Sequence, residues 1–145
     1  MINEDNFIVM ETNIDDCSPE ILGYTMDLLL EAGALDVFYT PVFMKKNRPA
    51  CLLTVTCQEA DLHKLAAIIF RETTTIGIRY RRESRIVLKR EAVKINTDYG
   101  ELLAKKVYAG EETYIYPEYE SFAKAAKETG TALKDLYKLS LKEHK

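Results

Sequence analysis

The alternation between helical and strand-like spacing of apolar residues in the first 90 residues is the feature that most constrains the fold. The clearest helix has apolar side chains at i, i+3, i+4, i+7 and i+8, namely Leu62, Leu65, Ala66, Ile69 and Phe70. An earlier helix is predicted to begin at the N-cap Ser18, with Pro19 at its first position, and to end at Gly33. The segments around these helices are therefore expected to supply a sheet.

Strand-like segments do surround the two helices. β-rich or alternating stretches occupy residues 7–14, 35–44, 50–57 and 78–88, and the sequence KKNRP separates the second stretch from the third. The resulting order, β-α-β-β-α-β, is that of the ferredoxin-like unit, an antiparallel sheet with two helices on one face. We assign this unit to residues 1–90.

The remaining residues, 91–145, have a different organisation. A β-hairpin is predicted around the turn DYG, followed by two short helices that end near residues 130 and 145. Pro117 suits a first helical position, and Gly130 separates the two helices. The predicted fold class is thus α+β, with a ferredoxin-like unit followed by a small β-hairpin plus two-helix appendage. We expect the appendage to make an oligomer contact.

Composition narrows the setting of this fold. The chain has 145 residues, is 47% hydrophobic and carries a net charge of −3, which disfavours binding to nucleic acid. Its three cysteines, Cys17, Cys51 and Cys57, leave an odd thiol and show no C-x-x-C spacing, as is typical of a reducing compartment. No apolar run approaches the ~18 residues that span a bilayer. We therefore expect a cytoplasmic protein with no membrane partner.

The topology predicts that three polar connections meet at one end of the ferredoxin-like unit. They are the first strand-to-helix loop, the hairpin loop between the second and third strands, and the connection from the second helix to the fourth strand. The expected divalent-metal ligands are Glu11, Asp15 and Asp16. The expected phosphate-binding residues are Lys45, Lys46, Arg48, Arg71, Thr73, Thr74, Thr75 and Arg79.

These residue types match a metal-bound polyphosphate. Arg binds phosphate oxygens in bidentate fashion, Lys supplies a compact charge, and Mg²⁺ or Mn²⁺ takes one or two protein carboxylates beside phosphate and water. Each cluster also has a structural explanation. Asp15 and Asp16 lie beside a helix N-terminus, and the basic residues of the hairpin and of the fourth strand are also suited to solvent exposure. From the residues alone, both interpretations stay open.

The chain resembles the carboxyl-terminal domain of the nickel insertion protein family of the lactate racemase cofactor, the LarC family. The matching motifs are ETNIDDCSPEILGY, LLEAGALDVFYTPVFMKKNRP, IIFRETTTIGIR and YPEYE. The resemblance implies a CTP-dependent nickel chelatase, or cyclometallase. Such an enzyme inserts Ni²⁺ into pyridinium-3,5-bisthiocarboxylic acid mononucleotide while CTP is hydrolysed to CMP and pyrophosphate. The catalytic residues are not identified by these motifs.

The family's full protein has an additional amino-terminal region, so the resemblance implies that region as a partner. We also expect a homo-oligomer, in line with the oligomer contact expected of the appendage. A rival from another class is a ferredoxin-like sensor or assembly module that binds a small ligand without catalysis. Five basic residues beside three carboxylates favour polyphosphate chemistry over such a sensor. His63 and His144 are both expected at the surface.

Overall fold

A computed structural model describes residues 2–142 of the chain, with side chains as far as residue 139. The last residues of the predicted final helix, with His144, lie outside this part. The described residues form two compact units, one being Asp5–Arg85 and the other residues 2–4 with 86–142. None of the described helices has both the length and the apolar character that crossing a bilayer requires.

The first unit has the predicted β-α-β-β-α-β order. Its elements are β1 (Ile2–Ile14), α1 (Pro19–Glu31), β2 (Asp36–Met44), β3 (Arg48–Cys57), α2 (Leu62–Glu72) and the first part of β4 (Arg79–Thr97). The strand order is β2-β3-β1-β4, and β3 is antiparallel to both of its neighbours. Contacts of Arg85 with Asp5 and of Arg79 with Glu11 show that β4 runs antiparallel to β1. The ferredoxin-like prediction is confirmed.

Both helices of the first unit cover the same face of its sheet. Leu29 of α1 and Leu65 of α2 are fully buried, and they belong to one cluster with Leu53 and Val55 of β3. The alternate residues of each strand point to the opposite face, because side chains along a strand alternate between faces. That second face carries no helix in this unit.

The predicted helix boundaries of the first unit are confirmed where the sequence held strong signals. The Ser18 side chain accepts a hydrogen bond from the Ile21 amide, and Pro19 begins α1. Gly33 follows the C-cap with φ of 103°, a left-handed conformation that glycine adopts readily. Between β2 and β3 the chain makes a short 3-10 turn at Lys45–Asn47.

The second unit continues β4 into a three-stranded antiparallel sheet of order β4-β5-β6. Its further elements are β5 (Gly100–Ala109), β6 (Glu112–Pro117), α3 (Tyr119–Thr129) and α4 (Leu133–Lys142). Two details of the sequence prediction are wrong. Arg79–Thr97 forms one long strand instead of two, and Pro117 ends β6 instead of opening a helix. Gly130 separates α3 from α4, as predicted, with φ of 69°.

The second unit packs its helices on one face of this sheet as well. Leu102 of β5 is buried with Phe122 and Leu136, and the Phe122 and Tyr137 rings lie 5.5 Å apart between centroids. A separate small cluster joins Ile95, Ala104 and Ile115 across the three strands. No helix within residues 86–142 covers the other face of the sheet.

Candidate functional site

Polar side chains from the three predicted connections meet at one end of the first unit. The Asp15 carboxylate, in the loop after β1, lies 3.5 Å from the Arg48 guanidinium at the start of β3. The neighbouring Asp16 carboxylate accepts a hydrogen bond from the Thr74 hydroxyl, in the connection after α2. The predicted convergence of acidic, basic and hydroxyl groups is therefore present for these four residues.

A second set of hydroxyls fixes the connection between α2 and β4. The Thr12 and Thr75 hydroxyl oxygens are 2.6 Å apart, and both lie within hydrogen-bond distance of the Gly77 carbonyl, at 2.8 and 3.1 Å. Each hydroxyl has one proton, so one bond joins the two hydroxyls and the other reaches the carbonyl. This closed arrangement holds the connection against β1.

The three consecutive threonines therefore have three different surroundings. The buried Thr73 hydroxyl donates to the Ile69 carbonyl at 2.7 Å, where it satisfies a carbonyl in the last turn of α2. Thr75 takes part in the closed arrangement with Thr12, whereas Thr74 is exposed and its hydroxyl donates to the Asp16 carboxylate. Of the triplet, Thr74 has the hydroxyl most accessible to a ligand.

The hairpin turn presents cations to solvent. Lys46 and Asn47 both have left-handed backbone conformations, with φ of 62° and 58°, which are unfavourable for lysine. Lys45 and Lys46 are exposed, and within residues 2–139 neither forms an ion pair. The turn thus holds two free positive charges next to Arg48, and backbone strain of this kind is common where a loop is shaped for a ligand.

Glu11 has a different role from the two aspartates. It lies on the uncovered sheet face of the first unit, with one carboxylate oxygen 3.1 Å from Arg79 and the other 3.1 Å from Arg81. Burial raises the pKa of Glu11, but hydrogen bonds and charge from Arg81 and Arg79 outweigh burial and leave this pKa below its usual value. Glu11 is therefore ionised and held by two guanidinium groups.

The predicted site residues thus separate into groups. Arg79 contacts Glu11 and Asn13 on the sheet face, and Arg71 at the end of α2 contacts Glu72. Among residues 2–139, no three Asp, Glu, His or Cys side chains are arranged so that they alone could hold a metal ion. The assignments of metal and phosphate ligands stay predictions.

Sequence analysis missed two residues of this region, Thr12 and Arg81. Arg81 follows Arg79 by two positions, so strand alternation alone places both on one face beside Glu11. Thr12 had no comparable signal. Its role depends on how the connection after α2 folds back onto β1, which no local pattern specifies.

Two thiols lie on the helix side of the same end. Cys17 and Cys51 are half-buried and pack against the core together with Tyr39. Burial raises the pKa of the Cys17 thiol, with further contributions from Asp16 and Cys51, and burial raises the pKa of Tyr39 to about 12. The Tyr39 hydroxyl donates to the Leu22 carbonyl at 2.7 Å. The Cys17 thiol and the Tyr39 hydroxyl are therefore protonated near neutral pH.

We call the end of the first unit at which Asp15, Asp16, Arg48 and Thr74 meet the three-loop end. With the fold, it defines a small α+β domain that gathers charge-rich loops at one end of a ferredoxin-like unit. The chain belongs to the nickel insertion protein family, which it matches over residues 1–137.

Two curated relatives carry the same name, pyridinium-3,5-bisthiocarboxylic acid mononucleotide nickel insertion protein. The protein from Alkaliphilus metalliredigens is 50% identical over 129 residues, covering 89% of this chain and 31% of the relative. The protein from Acetivibrio thermocellus is 48% identical over 134 residues, covering 92% of this chain and 33% of the relative. The chain therefore spans about a third of the length of these relatives.

Solved structures confirm the fold. One is described as LarC2, the C-terminal domain of a cyclometallase involved in the synthesis of the NPN cofactor of lactate racemase, in its apo form. It has a TM-score of 0.88 and 38% identity, and the match covers 96% of both chains. A protein from Methanopyrus kandleri AV19 has a TM-score of 0.71 at 19% identity, covering 96% of this chain and 87% of that one, which shows the shared fold alone.

Proposed function

We propose that this chain is the CTP- and divalent-cation-binding domain of a nickel insertase. In this proposal the complete enzyme inserts Ni²⁺ into pyridinium-3,5-bisthiocarboxylic acid mononucleotide while CTP is hydrolysed to CMP and pyrophosphate. Family membership over residues 1–137 supports the nickel chemistry. The arrangement of Asp15, Asp16, Arg48 and Thr74 supports a nucleotide with its cation at the three-loop end.

The observation that carries the proposal is that opposite charges in these loops are paired weakly and at the surface. The Asp15–Arg48 pair is 3.5 Å apart, and its Arg48 side chain is 58% exposed. Exposed pairs of this kind contribute about 0–1 kcal/mol, so a ligand separates them at little cost. A polyphosphate would take Arg48, Lys45 and Lys46, and its cation would take Asp15 and Asp16. Binding would then exchange partners without leaving a charge unpaired.

The donor set fits a hard cation. Mg²⁺ and Mn²⁺ favour oxygen ligands, and Mg²⁺ in nucleotide sites takes one or two carboxylates with phosphate oxygens and water. Asp15 and Asp16 supply two carboxylates, whereas both oxygens of Glu11 already contact arginines. Of the three predicted metal ligands, the two aspartates are therefore better placed. When bound, the cation would neutralise phosphate charge.

Nickel is the metal substrate in this proposal, and it calls for other ligands. Ni²⁺ binds well to imidazole and to softer donors, but within residues 2–139 such groups are not assembled into a cluster. Nickel delivery and part of the pyridinium site are accordingly assigned to the part of the relatives that this chain does not cover, with a homo-oligomer as the assembled form.

A calorimetric titration tests the nucleotide assignment. CTP, ATP and GTP are each titrated into the chain with and without Mn²⁺. We expect saturable binding of CTP only with the cation, because phosphates and carboxylates in one cleft repel each other unless a cation bridges them. Tight binding without metal, or equal binding of all three nucleotides, would contradict the proposal.

Lactate racemase activation tests the division of labour. The chain is mixed with the cofactor precursor, Ni²⁺ and CTP, alone or with the remaining part of a relative as a separate polypeptide. We expect activation only with both polypeptides. Full activation by the chain alone would show that the nickel apparatus lies within it.

A further inference from the structure

The uncovered sheet face of the second unit carries aromatic and basic side chains in ordered rows. Antiparallel pairing places Arg90 of β4 opposite Val107 of β5, and Val107 opposite Tyr114 of β6. The next row places Ala92 opposite Lys105, and Lys105 opposite Tyr116. We call the surface formed by Arg90, Lys105, Val107, Tyr114 and Tyr116 the tyrosine face.

The side chains of the tyrosine face are accessible. Tyr114 and Tyr116 are 44% and 55% exposed, although large aromatic side chains usually lose most of their exposure in a folded domain. Their alternate neighbour Ile115 is buried and pairs with Lys106, which lies on the same face of β5 as the helix-packed Leu102, so the two rings lie on the opposite face. Since they are two residues apart on one strand, the rings stand side by side.

Two cations of this face, Arg90 and Lys105, have no ion-pair partner among the described side chains. Within residues 2–139 neither Arg90 nor Lys105 forms an ion pair, whereas Lys94, farther along the same face, pairs with Glu101 at 3.1 Å. The nearby Glu112 accepts a hydrogen bond from the Tyr114 hydroxyl, which raises the pKa of Tyr114 and keeps this phenol neutral. The face therefore offers two tyrosine rings beside two positive charges that have no ion-pair partner within residues 2–139.

We propose that the tyrosine face binds the pyridinium mononucleotide, with its ring on Tyr114 and Tyr116 and its anionic groups against Lys105 and Arg90. The inference rests on the proposed function, which supplies this ligand. A pyridinium ring is planar and cationic, so the faces of tyrosine rings attract it. Its acid and phosphate groups are anionic and complement the two free cations.

The spacing of the rows agrees with a ligand of this size. Neighbouring strands lie about 4.8 Å apart. The backbone of Lys105 therefore lies one strand spacing from that of Tyr116, and the backbone of Arg90 lies two spacings from that of Tyr114. The long side chains of both cations extend this reach. A ring over β6 therefore places its substituents above β5 and β4, where the cations stand.

Nicotinic acid mononucleotide, a pyridinium carboxylate mononucleotide, is the probe for this proposal. Its binding to the chain is measured by calorimetry, with ribose 5-phosphate as the probe that lacks the ring. We expect saturable binding that weakens on the order of tenfold in Tyr116→Ala, the usual scale for loss of stacking on an aromatic side chain. Lys105→Ala should weaken the binding of both probes, and the control Tyr99→Ala, at an exposed tyrosine of the β4–β5 turn, should change neither.

Tyr116→Phe keeps the ring and should keep the binding, which guards against a variant that merely misfolds. Absence of saturable binding, or equal binding by Tyr116→Ala and the unaltered chain, would overturn the proposal. A smaller assembly of Tyr116→Ala in sedimentation would overturn it too, because the face would then contact a second copy. CTP binding is measured on the same samples. If nicotinic acid mononucleotide binds and CTP does not, the proposed CTP site is rejected and the proposal for the tyrosine face is retained.

Discussion

The two units of the chain build their interiors differently. The first unit has one core cluster of twelve buried residues, in which α1, α2 and the sheet all take part. Among the side chains described up to residue 139, the second unit has two smaller clusters, of four and three buried residues, one joining the helices to β5 and one made of sheet residues. A single large side chain therefore accounts for a larger fraction of the buried core in the second unit than in the first.

The units also differ in how their uncovered sheet faces use charge. In the first unit, Glu11 is held by Arg79 and Arg81, and Asp5 by Arg85. On the tyrosine face of the second unit, the cations have no acidic partner among residues 2–139. The comparison indicates that ion pairs help to hold the sheet of the first unit, whose free cations lie in the hairpin turn. On the tyrosine face of the second unit, the cations are left without such pairs and are accessible.

Removing Phe122 should have the largest effect. Phe122 is fully buried and belongs to the smaller helix-side core, so Phe122→Ala is expected to cost about 3–5 kcal/mol of unfolding free energy. Amide hydrogen exchange should show lost protection in residues 86–142 with protection of residues 5–85 retained. Leu65→Ala, at a fully buried position of the first core, is the matched variant and should do the reverse. Equal loss in both units after either substitution would remove the distinction between the two cores.

Lys46→Ala should separate binding from folding in the first unit. The hairpin turn holds Lys46 exposed and unpaired, so its loss is expected to weaken CTP binding by about 1.5–3 kcal/mol, the scale of a hydrogen bond to a charged group. The melting temperature should barely change, because exposed charges contribute little to stability. Lys64→Ala, which removes an exposed lysine paired with Asp61, is the control and should leave CTP binding unchanged. Parallel losses of binding and stability in Lys46→Ala would support a structural role for the turn.

The two units also differ in how well their elements could be predicted from the sequence. In the first unit, each element had a strong local signal, such as the Ser18 cap or the apolar spacing of α2, and the order of elements then implied which loops meet. The meeting of Asp15 with Arg48 follows from that topology. In the second unit, Pro117 gave an ambiguous signal because proline suits both a helix start and an edge strand such as β6.

The finer arrangement of the candidate site could not be predicted. The hydroxyls of Thr73 and Thr75 were expected to face a ligand, but they bond to Ile69 and to Gly77 or Thr12. A threonine hydroxyl chooses among several carbonyls within reach, and that choice depends on backbone angles that only the folded connection sets. The topology therefore predicts which loops meet, but it does not specify which hydroxyl stays accessible.

Glu11→Gln should lower the free energy of unfolding by about 1 kcal/mol near neutral pH, because it removes the ionic contacts of Glu11 with two arginines. The pKa of Glu11 is lowered in the folded state, so its contribution is present above the unfolded-state pKa and is lost as pH falls through the folded-state pKa. Urea unfolding near pH 7 should therefore show a loss of stability in Glu11→Gln that becomes smaller as the pH is lowered below the unfolded-state pKa of the carboxyl group. A deficit of equal size near pH 7 and below that pKa would mean that shape, and not charge, explains the effect.

Arg90→Ala should have the smallest effect on stability, and it tests the same contrast from the second unit. Arg90 is exposed on the tyrosine face and has no acidic partner among residues 2–139, so removing it breaks no ion pair and opens no cavity. Substitutions at such positions usually change the unfolding free energy by no more than about 0.5 kcal/mol. We expect urea unfolding near pH 7 to give the same midpoint for Arg90→Ala and the unaltered chain, while binding of nicotinic acid mononucleotide weakens. A clear loss of stability would instead show that Arg90 supports the fold, as the paired arginines of the first unit do, and the contrast between the two sheet faces would then fail.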